Sequence, residues 1–192
     1  MFTADNGTNT SITSRWDGQL IKGGKGGMTD MGTHVPFVAS WKGTSPSGVI
    51  YEDLIEFTDF YATLAEAAGH VRQADDPIDG RSFFPRLRGL PGNPREWVLC
   101  HYQPYWNKTP GQFARNSHYK LYRDGRYYHV PVDLTESHDL GAGSAGDSGE
   151  RVRQQLQAML DLAPPAPTGV GNRSTKERPT FSDWRNLVDP ND

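Results

Sequence analysis

In the first half of the chain, hydrophobic residues are spaced as in one strand and one helix. The nearly continuous apolar run at 35–41 predicts a strand. Apolar residues at helical spacing predict a helix over 59–68, with Thr58 as its cap and Gly69 as its stop. They occupy positions 54, 57, 61, 64, 65 and 68. Residues 1–4 have the pattern of a strand end. A strand end at residues 1–4, followed by a strand at 35–41 and a helix over 59–68, is typical of an α/β domain.

The pattern changes after residue 95, where short apolar stretches follow one another closely. They predict four short strands, at 96–102, 112–115, 118–123 and 126–132. Asp124-Gly125 lies between the last two and favours a hairpin turn. Residues 150–162 predict an amphipathic helix whose apolar face packs on this sheet. That face consists of Val152, Leu156, Met159 and Leu160.

The stretches between these elements are rich in polar residues, glycine and proline. Residues 7–34 carry mostly Gly, Thr and Ser, which predicts a long loop with little regular structure. Residues 70–95 form a polar, proline-rich crossing, and from Pro164 the composition predicts a loose tail. We therefore divide the chain into an α/β part at 1–95, a small sheet with its helix at 96–163, and an extended tail at 164–192.

Composition narrows the possible functions. Among 192 residues, 20 are Lys or Arg and 23 are Asp or Glu, so the formal charge is 20 − 23 = −3, which argues against a general nucleic-acid binder. The single cysteine, Cys100, excludes an internal disulfide. No apolar run approaches the roughly 20 residues that span a bilayer, so we expect no membrane association. The first residues lack the pattern of a signal peptide.

Asp5-Asn6-Gly7 follows the predicted end of a strand, where ligands gather in open α/β sheets. A carboxylate and an amide oxygen suit a hard cation such as Ca²⁺ or Mg²⁺. Asp and Asn also commonly close strands as turns, so these residues alone leave both interpretations open.

A second candidate is Lys25, which lies between two pairs of glycines at 23–27. An ammonium group in such a setting can approach an oxyanion without crowding from neighbouring side chains. The segment is not a phosphate-binding P-loop, because Gly26 follows the lysine where Ser or Thr is required. The alternative is a flexible exposed loop.

The remaining candidates are histidines and aromatic residues. His34 precedes the predicted strand at 35–41 and could donate a hydrogen bond to an anion or be purely structural. His101, Tyr102 and Tyr105 could line a substrate pocket, although core packing is the stronger expectation for them. The roles of His34 and His101 stay open at this point.

Several segments in a fixed order resemble the later part of the sulfatase family, within the alkaline phosphatase superfamily. The segments are Phe2-Thr3-Ala4-Asp5-Asn6-Gly7, Gly23-Gly24-Lys25-Gly26, Asp30, Gly32, Val35-Pro36-Phe37, Trp41-Lys42-Gly43, Thr58 to Ala65, Ala68-Gly69, Asp79 to Ser82 and His118 to Arg126. The resemblance covers residues 1–162. It implies the later part of an alkaline-phosphatase-like sheet-and-helix domain, followed by a small antiparallel sheet with a carboxy-terminal helix.

The resemblance also implies roles for individual residues. Asp5 and Asn6 would bind a divalent cation, usually Ca²⁺ or else Mg²⁺, and Lys25 would contact the sulfate oxygens. His34 stands where an arginine is common in the family, so its role is expected to be altered. The family's nucleophile is a formylglycine made within a C/S-x-P-x-R motif, which this chain does not contain.

Because that motif is missing, we expect the chain to be a carboxy-terminal portion of an arylsulfatase-type enzyme that does not turn over sulfate esters alone. The expected partner is a sulfate-ester small molecule or carbohydrate. The family is commonly periplasmic, secreted or lysosomal. A phosphodiesterase or phosphonate hydrolase of the same superfamily and a non-catalytic binding module are the alternatives. Substrate identity, oligomeric state and compartment are not determined by the sequence.

Overall fold

The structure is a computed structural model that describes residues 1–71, 73, 79–103 and 110–163. Within these residues the chain forms three antiparallel sheets and four helices. The strands are β1 Phe2–Thr3, β2 Thr13–Trp16, β3 Gln19–Lys22, β4 Phe37–Val38, β5 Val98–Tyr102, β6 Gly111–Arg115, β7 Tyr119–Tyr122 and β8 Tyr127–His129. The helices are α1 Asp30–Thr33, α2 Thr58–Ala67, α3 Phe84–Leu87 and α4 Gly146–Leu162.

The strand predicted at 35–41 is shorter than its apolar pattern suggests. Only Phe37 and Val38 are paired, with Thr3 and Phe2 respectively, in an antiparallel ladder. A strand extends only as far as its partner offers backbone groups, and β1 is two residues long. The predicted strand end at residues 1–4 is confirmed by this pair.

The prediction of an irregular loop over 7–34 is wrong for much of that stretch. β2 and β3 form a hairpin whose two-residue turn has positive φ at both positions, 45° at Asp17 and 76° at Gly18. Such φ values are typical of the type I′ turn, for which Asp-Gly is a preferred sequence. The turn dipeptide was therefore present in the sequence but hidden among other glycines.

Helix α2 confirms the prediction for 59–68 but not its cap. Thr58 is the first helical residue and forms no side-chain cap. Asp59 instead ties the helix to the residues before it, since its Oδ2 accepts a hydrogen bond from the Glu56 backbone amide at 2.9 Å. Arg95 and the backbone amide of Arg81 donate to the same carboxylate, which is 1% exposed. Gly69 ends the helix with a φ of 87°, as predicted.

The crossing at 70–95 contains one short helix, α3, that the sequence analysis missed. Pro85 occupies its first turn, where the absent N–H of proline costs nothing. The Phe83 amide donates to Thr63 Oγ1 at 3.0 Å, which fastens this segment to α2. A helix this short depends on such contacts, so the local composition does not indicate it.

The small sheet has the strand order β5-β6-β7-β8, and all four predicted strands are confirmed. Its two faces carry separate apolar clusters. Helix α4 packs on one face through Leu156 and Leu160, which are 2% and 0% exposed. The opposite face carries Phe113, Tyr122 and Tyr128, against which Met28 and Cys100 pack.

The boundaries drawn at residues 95 and 163 stay a prediction, and the predicted tail at 164–192 lies outside the described residues. Over the part of the chain that the structure describes, no helix has the length and apolar character needed to cross a membrane.

Candidate functional site

The loops that carry Asp5, Asn6 and Lys25 are joined by backbone hydrogen bonds. The Gly7 amide donates to the Gly32 carbonyl at 2.9 Å, and the Lys25 amide donates to the Thr8 carbonyl at 2.9 Å. Residues 5–8, 23–27 and 31–32 therefore meet in one place, which we call the glycine corner. Segments far apart in sequence are held together there by main-chain groups.

The glycine corner requires residues without a Cβ. A Cβ added to Gly32 would overlap the carbonyl oxygens of Gly24 and Gly27, and one added to Gly7 would overlap the Met31 carbonyl. A Cβ on Gly24 would lie 2.7 Å from the Met31 Cβ. Real Cβ atoms do not approach so closely, so these glycines allow backbone to pack on backbone.

The glycine corner carries three polar side chains, those of Asp5, Asn6 and Lys25. Within the described residues, Asp5, Asn6 and Lys25 form no side-chain hydrogen bond or ion pair, and Asp5 and Lys25 are exposed. The structure thus places a carboxylate, an amide and an ammonium group on loops that are bonded to one another. It brings together three of the four predicted site residues.

The oxygen atoms of Asp5 and Asn6 fit a hard cation in chemical type, but two residues supply only part of its ligand shell. Ca²⁺ takes six to eight oxygen ligands and Mg²⁺ six. Among the described residues no group of three or more His, Cys, Asp or Glu side chains could bind a metal. Asp5 and Asn6 can therefore supply one edge of a cation site.

His34, the fourth predicted site residue, follows the short helix α1 and contacts its first residue. His34 Nδ1 lies 3.4 Å from Asp30 Oδ2, while the His34 side chain is 71% exposed. It lines an open groove of about 590 Å³ together with Thr3, Phe37 and Arg115. Asp30 thus holds one ring nitrogen of His34 at the wall of this groove.

Asp30 is itself one end of a buried charge cluster. Arg115 Nη1 lies 2.6 and 2.7 Å from the two oxygens of Asp30, which is 2% exposed. Burial acts to raise the pKa of Asp30, but His34, Arg115 and Lys120 outweigh it and lower that pKa to about 2. Asp30 therefore stays ionised over the physiological pH range.

The other half of the cluster fastens the glycine corner to the small sheet. Lys120 Nζ lies 2.8 Å from Glu136 Oε1 and also donates to the Met28 carbonyl. Tyr122 donates to Glu136, and the Asp30 amide donates to Glu136 Oε1 at 3.0 Å. We call Asp30, Arg115, Lys120, Tyr122 and Glu136 the buried latch, because they tie residues 28–30 to β6 and β7.

The electrostatics of the latch follow from its burial. Lys120 is 0% exposed, and burial lowers its pKa although Glu136 and Asp30 oppose that shift. Burial, with help from the hydrogen bond to Glu136, raises the pKa of Tyr122. Lys120 Nζ also lies 4.0 Å from the centre of the Phe113 ring, which partly replaces lost hydration.

The residues considered as pocket lining have different positions. His101 is exposed, so the expectation of core packing is wrong for it, and its Nδ1 lies 2.8 Å from Gln112 Nε2. Tyr102 donates to the Gly26 carbonyl, which adds a second tie between the small sheet and the glycine corner. Tyr105 lies outside the described residues.

Sequence comparison finds sulfatases among the curated proteins. Over 107 residues the chain is 30% identical to the steryl-sulfatase of Mus musculus, covering 53% of this chain and 17% of that protein. Over 105 residues it is 33% identical to the ulvan-active sulfatase of Formosa agariphila, covering 53% of this chain and 21% of that protein. The match thus spans about a fifth of these relatives. No family model matches the chain.

Structural comparison gives the same group of proteins. A 2-O GAG sulfatase superposes on 83% of this chain and 34% of its own, with a TM-score of 0.61 and 23% identity. A putative sulfatase from Bacteroides thetaiotaomicron covers 90% of this chain and 39% of its own, with a TM-score of 0.60 and 22% identity. BT4656, solved with its substrate D-glucosamine-2-N,6-O-disulfate, covers 70% of this chain and 29% of its own, with a TM-score of 0.55 and 19% identity.

The chain resembles a carboxy-terminal portion of sulfatases. The resemblance inferred from the ordered segments is confirmed by these relatives. The fold prediction is confirmed as well, since the mixed sheets and carboxy-terminal helix match those of sulfatases with an alkaline-phosphatase-like fold. The roles of Asp5, Asn6, Lys25 and His34 stay predictions.

Sequence reasoning missed the buried latch. Asp30 belonged to the family resemblance but received no role, and the other four latch residues received none. The only local indication was Lys120, a charged residue within the otherwise buried strand Tyr119–Tyr122. A single lysine in a short strand is too common to predict a buried cluster that joins residues 14 to 106 positions apart.

Proposed function

We propose that this chain supplies one side of the active site of a sulfuric-ester hydrolase of the arylsulfatase type. The observation that carries the proposal is the glycine corner, whose loops are bonded to each other and whose Asp5, Asn6 and Lys25 have no side-chain partner among the residues that the structure describes. The sulfatase relatives support the choice of sulfate over the phosphate or phosphonate esters of the same superfamily. A sulfated small molecule or carbohydrate is the proposed substrate.

Each side chain then has a role set by its chemistry. Asp5 and Asn6 would bind a divalent cation, Ca²⁺ or Mg²⁺, which when bound acts as a Lewis acid toward the sulfate group. Lys25 would contact the sulfate oxygens as a mobile point charge and stabilise the negative charge of the reacting group. His34, braced by Asp30, would donate a hydrogen bond to an anion at the groove wall.

The nucleophile and the remaining cation ligands would come from sequence outside this chain. The 192 residues contain no C/S-x-P-x-R motif from which a formylglycine could form. We therefore expect the purified chain not to hydrolyse an aryl sulfate. Turnover above that of a Lys25→Ala variant would contradict this part of the proposal.

Sulfate binding tests the role of Lys25 without requiring turnover. Inorganic sulfate titrated into the isotope-labelled chain should shift the amide resonances of residues 23–27. Lys25→Ala should weaken this binding about tenfold, because it removes one charge-assisted contact. Lys42→Ala removes an exposed lysine outside the glycine corner and is the matched control. Equal losses in both variants would show that Lys25 is not an anion clamp.

A further inference from the structure

The β2–β3 hairpin rises directly from the glycine corner. Its base is closed by the Gly23 amide, which donates to the Ile12 carbonyl at 2.9 Å, and Lys25 follows β3 by three residues. Seven of its eight strand residues are exposed, and Ile21 alone is half-buried. A two-stranded hairpin gains little stability from its own contacts. Because nearly all of its strand residues are exposed, its faces are available to a ligand.

The register of the hairpin gives its two faces different chemistry. Arg15 pairs with Leu20 and Thr13 pairs with Lys22, which places the two cations diagonally on one face. Diagonal positions of this kind lie roughly 7–8 Å apart. Trp16 and Ile21 lie on the opposite face. Arg15 Nη1 donates to the Gly18 carbonyl at 3.2 Å, which leaves its other N–H groups for a ligand.

The charge of this segment differs in sign from that of the chain. Residues 8–27 contain Arg15, Lys22 and Lys25 against Asp17, a local charge of 3 − 1 = +2, whereas the whole chain carries −3. Because n residues of extended chain span at most about 3.3–3.6 Å × n, the Cα atoms of Lys22 and Lys25 are at most about 11 Å apart. Three cations are therefore close to one another along the hairpin and its base.

We propose that the Arg15–Lys22 face is a subsite for a second anionic group of the substrate, next to the sulfate bound at Lys25. The preferred ligand is then a carbohydrate with two or more sulfate groups, not a singly sulfated one. This inference rests on the proposed function, because Lys25 must bind the reacting sulfate. Arg15 offers a planar fork of donors that suits sulfate oxygens, and Lys22 adds a point charge.

The test compares two probes, D-glucosamine-2-N,6-O-disulfate and inorganic sulfate, titrated by NMR into the full chain. The disulfate should bind about tenfold more tightly, and Arg15→Gln/Lys22→Gln should remove that difference while leaving sulfate binding unchanged. Lys42→Gln/Arg151→Gln removes two exposed cations elsewhere and should keep the difference. Asp17→Asn should strengthen disulfate binding about twofold, since Asn tolerates the positive φ of the turn.

Two results would overturn the subsite. One is disulfate binding no tighter than sulfate, and the other is an equal loss in the hairpin variant and its control. The outcome for Lys25→Ala is separate: if that variant binds sulfate normally while the hairpin variant loses the gain, the proposed role of Lys25 fails, and the hairpin is an anion site that does not depend on it. The hairpin residues are exposed, so thermal melting should show the fold intact in every variant.

Discussion

The small sheet with α4 and the region before residue 70 are stabilised in different ways. Between the small sheet and α4, the side chains of Ala114, Leu121, Tyr127 and Leu160 are fully buried, and α4 covers that face of the sheet. Before residue 70 the large apolar side chains are mostly open to solvent. They include Phe2, Val38, Phe57, Tyr61 and Leu64, each 55–69% exposed. The small sheet with α4 depends on side-chain packing, whereas the region before residue 70 depends on backbone contacts and buried charge.

This difference assigns distinct tasks to the two regions. The glycine corner carries Asp5, Asn6 and Lys25 on loops that contribute little apolar burial. The small sheet supplies the rigid surface against which that frame is fixed, through Arg115, Lys120 and Tyr122 on one face. Loss of the latch should therefore affect both regions, whereas loss of a corner contact should stay local.

The largest effect is expected from Lys120→Met. This change leaves the buried carboxylate of Glu136 without its cation, and breaking a buried ion pair costs about 3–5 kcal/mol. Urea denaturation should show that loss in the free energy of unfolding. Arg126→Met breaks the exposed pair with Asp124 and should cost at most about 1 kcal/mol. Similar losses for the two variants would mean that the latch does not carry net stability.

A core truncation should separate the two regions nearly as clearly. Leu160→Ala removes a fully buried side chain beneath the sheet and should lower the free energy of unfolding by about 2–5 kcal/mol. Leu64→Ala is the same change on α2 at a position 55% exposed, and we expect less than about 1 kcal/mol. Chemical denaturation of both variants measures the contrast. A large loss at Leu64 would show that this face is covered in solution.

The latch should also make stability depend on acid. The folded-state pKa of Asp30, about 2, is below its unfolded value of 3.8, so its contribution is complete above about pH 4 and is lost as pH falls toward 2. This lowering of the Asp30 pKa corresponds to about 2–3 kcal/mol in the free energy of unfolding. Asp30→Asn should flatten the stability profile between pH 4 and pH 2, measured by thermal unfolding.

A smaller change in the acid dependence of stability is expected from Arg115→Met, which removes one of the cations that lower the Asp30 pKa. The acid-dependent slope should shrink but not vanish, because Lys120 and His34 remain. An unchanged slope in both variants would show that Asp30 is not the group responsible for acid sensitivity between pH 4 and pH 2.

The smallest effect is expected from Gly32→Ala in the glycine corner. The added Cβ must displace the carbonyls of Gly24 and Gly27, at a cost of about 1–3 kcal/mol. Hydrogen exchange should accelerate at the Gly7 and Lys25 amides while the small sheet stays protected.

Gly48→Ala is the control for that experiment. Unlike Gly32, which lies in helix α1, Gly48 has a positive φ of 69°, and a Cβ there would meet nothing within 4 Å. Gly48→Ala costs about 1–2 kcal/mol through backbone strain, which is comparable in size to the steric cost at Gly32, and should leave exchange at Gly7 and Lys25 unchanged. Faster exchange at those amides in the control would mean that the corner responds to general destabilisation.

Local patterns predicted the elements whose stability comes from regular apolar packing. The four strands after residue 95 and the apolar face of α4 were recognisable because alternation and helical spacing reflect burial on one face. The helix end at Gly69 followed from the freedom of glycine at positive φ. The length of β4 and the presence of α3 were not predicted correctly, because both depend on partners that no local pattern encodes.

For the candidate site, the sequence by itself determined the chemical types, namely a carboxylate, an amide and a lysine ordered among glycines. Only the tertiary structure decided that the loops carrying them are bonded together, and that Asp30 and Lys120 fasten those loops to the small sheet. The physical reason is that a buried charge needs a partner, and the partner can lie far away in sequence, as Arg115 does for the carboxylate of Asp30. The order of residues determines which chemical groups the candidate site contains, and long-range pairing determines where they lie.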